Sequence, residues 1–273
     1  MLELSRTVRL GLSPDPADTD LPKANTYSAW PPLRGLGRYY ELTLLCRGEA
    51  DADTGYFINI KDIDAAVRGH ALPVLQRALA DEAAAADTPM GTLLQNLLTA
   101  VQPPLASRVA RLTLQLSPFY SLSVDADAEA RPLPTVLIRQ RYEFSAAHRL
   151  HVPGLSDQQN RQTFGKCNNP AGHGHNYQVQ VSVAAPVDSH GRTLEPANLD
   201  AVVDQHLIEP LDHKHLNADV PQFANLNPSV EHIVQVAWQM LAPPLAAALP
   251  GCHLDELTVW ETGKTSCTYR GDR

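Results

Sequence analysis

The cleanest alternation of apolar and polar positions lies in TVLIRQRYEFSAAH at 135–148, where Val136 and Ile138, then Tyr142 and Phe144, alternate with polar neighbours. A period of two marks a strand with one buried face. YQVQVSVAA, starting at Tyr177, alternates as strictly and predicts a second strand. The segment after it, PVDSHGRTL, contains Gly191, the residue expected of a hairpin turn. The period then changes. In ANLDAVVDQHLIEPL, residues Leu199, Val202, Val203 and Leu207 recur at helical spacing. PSVEHIVQVAWQMLA predicts a second helix, with Pro228 in its first turn and Asn227 as its cap. DELTVWETG reads as a closing strand, with one more short strand after it. The order is β–β–α–α–β, an α+β pattern.

The first half repeats this order. GLGRYYELTLL at 35–45 resembles GHGHNYQVQVS at 172–182, so that Gly35, Gly37 and Tyr40 fall where Gly172, Gly174 and Tyr177 fall. DIDAAVRGHALPVL at 62–75 resembles NLDAVVDQHLIEPL at 198–211, and TPMGTLLQNLLTAVQPPLA resembles NPSVEHIVQVAWQMLAPPLA. Three matches in one order predict a tandem repeat, with copies at 1–124 and 135–273 and the linker DADAEARPLP at 125–134. The copies differ in chemistry. Leu36 and Arg38 stand at the places of His173 and His175, Gln76 and Arg77 near those of Asp212 and His213, and Leu116 near that of Glu261. The first copy is therefore expected to be structural.

Charge and composition narrow the function. A formal net charge of -8 argues against a general nucleic-acid surface. No apolar run reaches the roughly 18 residues of a membrane span, and MLELSRTVRLGLSPDPAD lacks a signal-peptide core. The expected location is the cytoplasm. Cys46, Cys167, Cys252 and Cys267 do not form a disulfide framework in a chain of 273 residues, so Cys167 needs another explanation.

His173 and His175 are two apart, which puts both on one face of an extended strand, with only Gly174 between them. Both can reach one metal ion. His148, ending the strand FSAAH, is the best third ligand, and His151 is the lesser alternative. Three neutral nitrogens and an open fourth position describe a catalytic zinc site. Cys167 is followed by Asn168 and Asn169 and preceded by Lys166; near a cation its thiol is expected to ionise more readily, giving a base. Asp212 beside His213 can fix an imidazole tautomer if the turn after the helix lets them bond. Glu261, at the end of LTVWETG, either caps a turn or accepts two parallel N–H donors from a ligand. Arg149, Arg161 and Lys166 form a basic patch, fit for an anionic substrate group or simply solvated.

Together FSAAHRL, GKCNNPAGHGHNY, LDHKHLN, NPSVEHI and VWETG resemble the 6-pyruvoyl-tetrahydropterin / 6-carboxy-tetrahydropterin synthase family over about residues 136–271. The resemblance implies a T-fold in each half: an antiparallel four-stranded sheet with two helices on one face. It implies 7,8-dihydroneopterin triphosphate as substrate, zinc on His148, His173 and His175, Cys167 as general base, and Asp212 and His213 completing a proton relay. It places Glu261, Ser229 and Lys166 on the substrate, with Glu261 anchoring the pterin ring. Five residues between Cys167 and His173 resemble the pyruvoyl-forming enzymes; LDHKHLN is also at home in the carboxy-forming enzymes of queuosine synthesis.

In that family the zinc site and cysteine come from one subunit and the Asp–His pair from its neighbour. A tandem chain with one degenerate copy then needs intact halves to meet intact halves. The expected assembly is a homotrimer, with C-terminal halves in one ring and N-terminal halves in the other. A pterin-binding protein without turnover is the competing reading. A zinc hydrolase is disfavoured because HExxH is absent.

Overall fold

The computed structural model describes residues 1–13, 27–127 and 134–272. Most of the expected linker at 125–134 lies outside the described residues. The chain divides into two units, Met1–Ile138 with Ala185–Thr193, and Arg139–Ala184 with Leu194–Arg273.

In the first unit, strands β1 (Leu2–Leu12) and β2 (Arg38–Gly48) pair antiparallel, from Leu2 opposite Gly48 to Leu12 opposite Arg38. Helix α1 runs over 60–78 and α2 over Met90–Val101; β3 (Val109–Ser117) and β4 (Tyr120–Asp125) complete the sheet in the order β1-β2-β3-β4. Alternate strand residues Leu10, Leu42, Leu44, Leu112, Leu114 and Leu122 are buried, as are Ile63, Leu94 and Leu97 of the helices. Removing such side chains from water is the main stabilising term.

The second unit is built in the same order. Strand β5 (Thr135–His148) neighbours β6 (His173–Pro186), which pairs antiparallel with β8 (His253–Thr262), which pairs with β9 (Thr265–Tyr269). A two-residue strand β7 (Lys214–His215) lies parallel to β5, Ala147 opposite His215. Helix α3 spans Asp157–Phe164, α4 runs over 196–211, and α5 spans Val230–Ala248. Val179, Val181, Val183, Leu257 and Val259 bury one side of the sheet, with Leu199, Val203 and Leu207 of α4 and Ile233, Val234 and Leu241 of α5 also buried.

Helices α1 and α4 each contain a wide π turn, Val67–Ala71 in α1 and Asp204–Ile208 in α4. One extra residue per turn shifts the side chains that follow.

Three expectations are corrected. The segment after β6 does not join two strands of a hairpin; Gly191, at φ +75°, turns the chain toward α4. The cap of α5 is Ser229, whose hydroxyl accepts from His232 N, and Asn227 instead accepts from His151 N. Helix α3 was not expected. It has no apolar stripe, but Ser156 and Gln159 form a capping box. Among the described residues no helix is long and apolar enough to cross a membrane.

Candidate metal centre

β5 and β6 bring three histidines together. His148 is the last residue of β5, and His173 and His175 open β6. Along β5, Phe144, Ala146 and His148 are buried, while Ser145 and Ala147 are partly exposed; along β6, His173, His175 and Tyr177 take the inward positions and Gly174 and Asn176 the exposed ones. The period of two in the strands thus puts all three imidazoles on one side. One nitrogen from each ring lies within 4.8 Å of the others, an arrangement that can hold a metal ion.

The polar atoms around His148 set its tautomer. Its Nδ1 is 2.7 Å from the carbonyl oxygen of Pro228. A carbonyl only accepts, so Nδ1 carries the proton and Nε2 keeps a lone pair. That Nε2 is 3.2 Å from Nε2 of His173. His175 Nε2 is buried and has no hydrogen-bond partner. The buried hydroxyl of Tyr177 lies 3.4 Å from Nδ1 of His148, and its ring stacks on Phe144 at 5.0 Å. Burial pushes His148 down to about 4, against the pull of the Pro228 carbonyl, and burial also lowers His173. Three imidazoles with one nitrogen each turned to a common space, and a buried ring nitrogen without a partner on both His173 and His175, fit a cation.

Glu261, near the end of β8, turns its carboxylate toward this cluster. Oε1 is 3.5 Å from His148 Nε2 and 3.8 Å from His175 Nε2. The β6–β8 register, Gln178 opposite Trp260, carries it there.

The loop between β5 and β6 is tied by asparagines. Asn168 is buried; its Nδ2 lies 2.7 Å from the Leu150 carbonyl and 3.1 Å from Nδ1 of His151. His151 is therefore engaged away from the three-histidine cluster. Arg149 donates to the Asn168 carbonyl, so that member of the basic patch has a structural partner. Cys167 is half-buried, and its carbonyl accepts from Leu150 N. Burial, then the neighbouring Glu261, pushes the Tyr177 hydroxyl up. Lys166 is exposed.

Asp212 and His213 do bond, Oδ2 to Nδ1 at 2.7 Å. Asp212 Oδ1 also accepts from Ser145 N at 2.7 Å, and His213 N donates to the Ser145 carbonyl. The hydrogen bond from Ser145 N, then that from His213, hold the Asp212 carboxyl below its ordinary range. The pair lies on the outward row, where Ser145 Oγ bonds Asn176 Oδ1 at 2.9 Å. The His213 side chain is 82% exposed and lines an open groove of about 620 Å³ with Ser145, Asn176, Lys214, His215 and one of the three clustered histidines, His175. Among the described residues, no hydrogen bond, ion pair or ring contact joins His213 to the three histidines. Within one chain His175 of the cluster and His213 of the Asp–His pair thus open onto one groove without a bond between them.

Three participants escaped the reading of sequence: the Pro228 carbonyl, the Tyr177 hydroxyl and Gly172. Gly172 carries a signal, since it breaks the approach to β6 at φ +73°; a Cβ there would stand 2.8 Å from His215 Nε2 and 3.0 Å from the His148 carbonyl.

The family model described as 6-pyruvoyl tetrahydropterin synthase matches residues 137–272. A 6-pyruvoyl tetrahydrobiopterin synthase from Poecilia reticulata is 42% identical over 130 residues, covering 47% of this chain and 86% of the relative. The one from Homo sapiens is 39% identical over 136 residues, 50% of this chain and 91% of the relative. The solved Caenorhabditis elegans 6-pyruvoyl tetrahydropterin synthase is 35% identical, with a TM-score of 0.46, over 51% of this chain and 98% of that one.

Proposed function

The chain belongs to the 6-pyruvoyl tetrahydropterin synthase family, and from that premise we propose that it converts 7,8-dihydroneopterin triphosphate to 6-pyruvoyl-tetrahydropterin with loss of triphosphate. The observation that carries this reading is the cluster of His148, His173 and His175, with the His148 lone pair aimed inward by Pro228. These three residues would hold zinc. When bound, zinc would act as a Lewis acid toward the side-chain hydroxyls of the substrate, making the adjacent C–H bond acidic.

The chain's own residues do the rest. Cys167 accepts the side-chain proton. Asp212 holds the Nδ1 proton of His213, leaving Nε2 free to take or give a proton. Glu261 accepts two N–H donors from the pterin edge. Lys166, exposed on the loop, attracts the triphosphate, and Ser229, at the start of α5, lines the pterin side.

Because His213 points outward in the single chain, the relay is completed by a second copy: Cys167 and the histidines of one chain work with Asp212 and His213 of the next. We read the N-terminal unit as a tandem copy that lost its site, on the shared element order and the matching π turns. A trimer with all C-terminal halves in one ring meets both conditions. The four free cysteines fit a reducing, cytoplasmic setting.

The test is to incubate zinc-loaded protein with 7,8-dihydroneopterin triphosphate without oxygen and identify the products by mass. Triphosphate with the 6-pyruvoyl product is the expected result. A 6-carboxy product with acetaldehyde would move the enzyme to the carboxy-forming branch. Binding without triphosphate release would make it a pterin-binding protein.

A further inference from the structure

β5 ends at His148, yet the next two residues keep their backbone donors and acceptors fully bonded. Asn217 Oδ1 accepts from Arg149 N at 2.8 Å, and Asn217 Nδ2 donates to the Arg149 carbonyl at 3.0 Å. Leu150 N donates to the Cys167 carbonyl at 2.9 Å, and the Leu150 carbonyl accepts from Asn168 Nδ2 at 2.7 Å. The dipeptide Arg149–Leu150 is therefore a splint, with the Asn217 amide bonded to its first residue and the loop of Cys167 to its second. A primary amide suits this place because it offers a donor and an acceptor together.

The second observation is where Asn217 comes from. It lies in the short helical turn Leu216–Asp219, anchored by the buried Leu216, just after the stretch that carries Asp212 and His213. That stretch runs along β5. Asp212 Oδ1 accepts from Ser145 N, His213 N donates to the Ser145 carbonyl, and Lys214 and His215 pair with Ala146 and Ala147. Asn217 completes the series at Arg149, beyond His148. One continuous stretch thus grips the chain on both sides of the first histidine and reaches the Cys167 loop through a single dipeptide. The loop needs an outside hold, because Gly165–Asn168 is a lone 3₁₀ turn entered at positive φ.

We propose that Asn217 is a positioning residue for Cys167: through the Arg149–Leu150 backbone it fixes where the cysteine loop stands beside His148. The role of Cys167 as base rests on the function proposed above; the hold on its backbone does not. A thiol that takes a proton from carbon must sit at a near-attack distance, and a displacement of about 1 Å can cost about a hundredfold in rate.

The test uses the full chain with Asn217→Ala, which removes both bonds, and with Asn217→Asp, which keeps the bond to Arg149 N but cannot donate to the Arg149 carbonyl. Thermal unfolding establishes that each variant is folded. Alkylation by iodoacetamide, without any pterin, is then followed for each cysteine by peptide mass. Cys252, half-buried before β8, reports general loosening of the same unit. Asn217→Ala is expected to alkylate at Cys167 about fivefold faster than wild type, with Cys252 within about twofold and Asn217→Asp in between. A Cys167 rate within about twofold of wild type, or a parallel rise at Cys252, would overturn the positioning role.

Turnover of 7,8-dihydroneopterin triphosphate reads the consequence. Asn217→Ala should lower kcat about tenfold or more with KM within about threefold, and Asn217→Asp should recover part of the loss. An unchanged kcat beside a faster Cys167 would show that the thiol has moved without effect on the reaction, and would overturn the catalytic consequence. If wild type itself releases no triphosphate, the reading of Cys167 as base falls, while the alkylation comparison still decides whether Asn217 places it.

Discussion

Nδ1 of His148 donates to the carbonyl oxygen of Pro228, 2.7 Å away, across 80 residues of sequence. That bond links the end of β5 to the segment leading into α5, and it decides which imidazole nitrogen faces His173 and His175. Each of the three histidines can then hold a metal, whereas Nδ1 of His151 is engaged by Asn168. Replacing His148, His173 or His175 with alanine should cut zinc affinity by orders of magnitude in chelator competition. His151→Ala should leave it within about twofold. A His151 variant that loses metal as the others do would show that the cluster has been drawn around the wrong third residue.

The outward position of His213 gives a complementation experiment. Cys167→Ala and His213→Ala chains should each be inactive alone. If the relay is shared between chains, co-expressed or co-refolded mixtures regain activity, because some interfaces pair an intact Cys167 with an intact His213. Random mixing in equal amounts restores about a quarter of the sites of a cyclic assembly. No recovery from a mixture shown by mass to contain both chains in one oligomer would place the whole relay within a single chain.

Asp212 predicts how stability depends on pH. Its carboxylate accepts from Ser145 N and bonds His213, and its pKa is lowered in the folded protein. An unfolded aspartate titrates near about 3.9. Between that value and the lower folded one, the unfolded chain binds the extra proton. Stability from Asp212 is thus fully present above about 4 and is lost as pH falls through the folded pKa. The difference in melting temperature between wild type and Asp212→Asn should therefore shrink as the pH falls below about 4. A gap that stays constant as the pH falls from about 4 to about 2 would contradict this.

What could be read in advance follows the range of the forces involved. β5 was legible residue by residue because Val136, Ile138 and Phe144 report burial through a period of two, and the same parity placed His173 and His175 on one side. Helix α3 was not, because its helical signal is a capping box on a polar segment rather than an apolar stripe. The cap of α5 fell to Ser229 because Asn227 is recruited by His151, 76 residues away. Glu261 was singled out, but its approach to His148 depends on the β6–β8 register, which side-chain periodicity does not contain. The outward placement of His213 depends on a left-handed backbone at φ 56°, uncommon for a residue other than glycine. The π turns in α1 and α4 likewise leave no mark in the apolar spacing.

Gly172 and Gly165 provide a matched pair for the loop that delivers Cys167 and His173. Both have positive φ, +73° and +53°, and Gly165 combines it with ψ −123°, a conformation essentially reserved for glycine, so alanine strains the backbone at either. They differ in surroundings. At Gly165 nothing lies within 4 Å of an added Cβ, whereas at Gly172 it would meet His215 Nε2 at 2.8 Å and the backbone oxygen of His148 at 3.0 Å. The second clash cannot be relieved by rotating a side chain, since the oxygen belongs to the strand that carries the first histidine. Gly172→Ala should therefore lose about 1–3 kcal/mol to this clash, on top of its backbone strain, in urea unfolding of the metal-free protein. It should also weaken zinc binding, because the strain falls on the turn between His148 and His173, while Gly165→Ala should leave zinc affinity close to wild type. Unchanged zinc affinity in Gly172→Ala would mean that the turn before β6 has room to move, and that the spacing of the histidines is set by the strands alone.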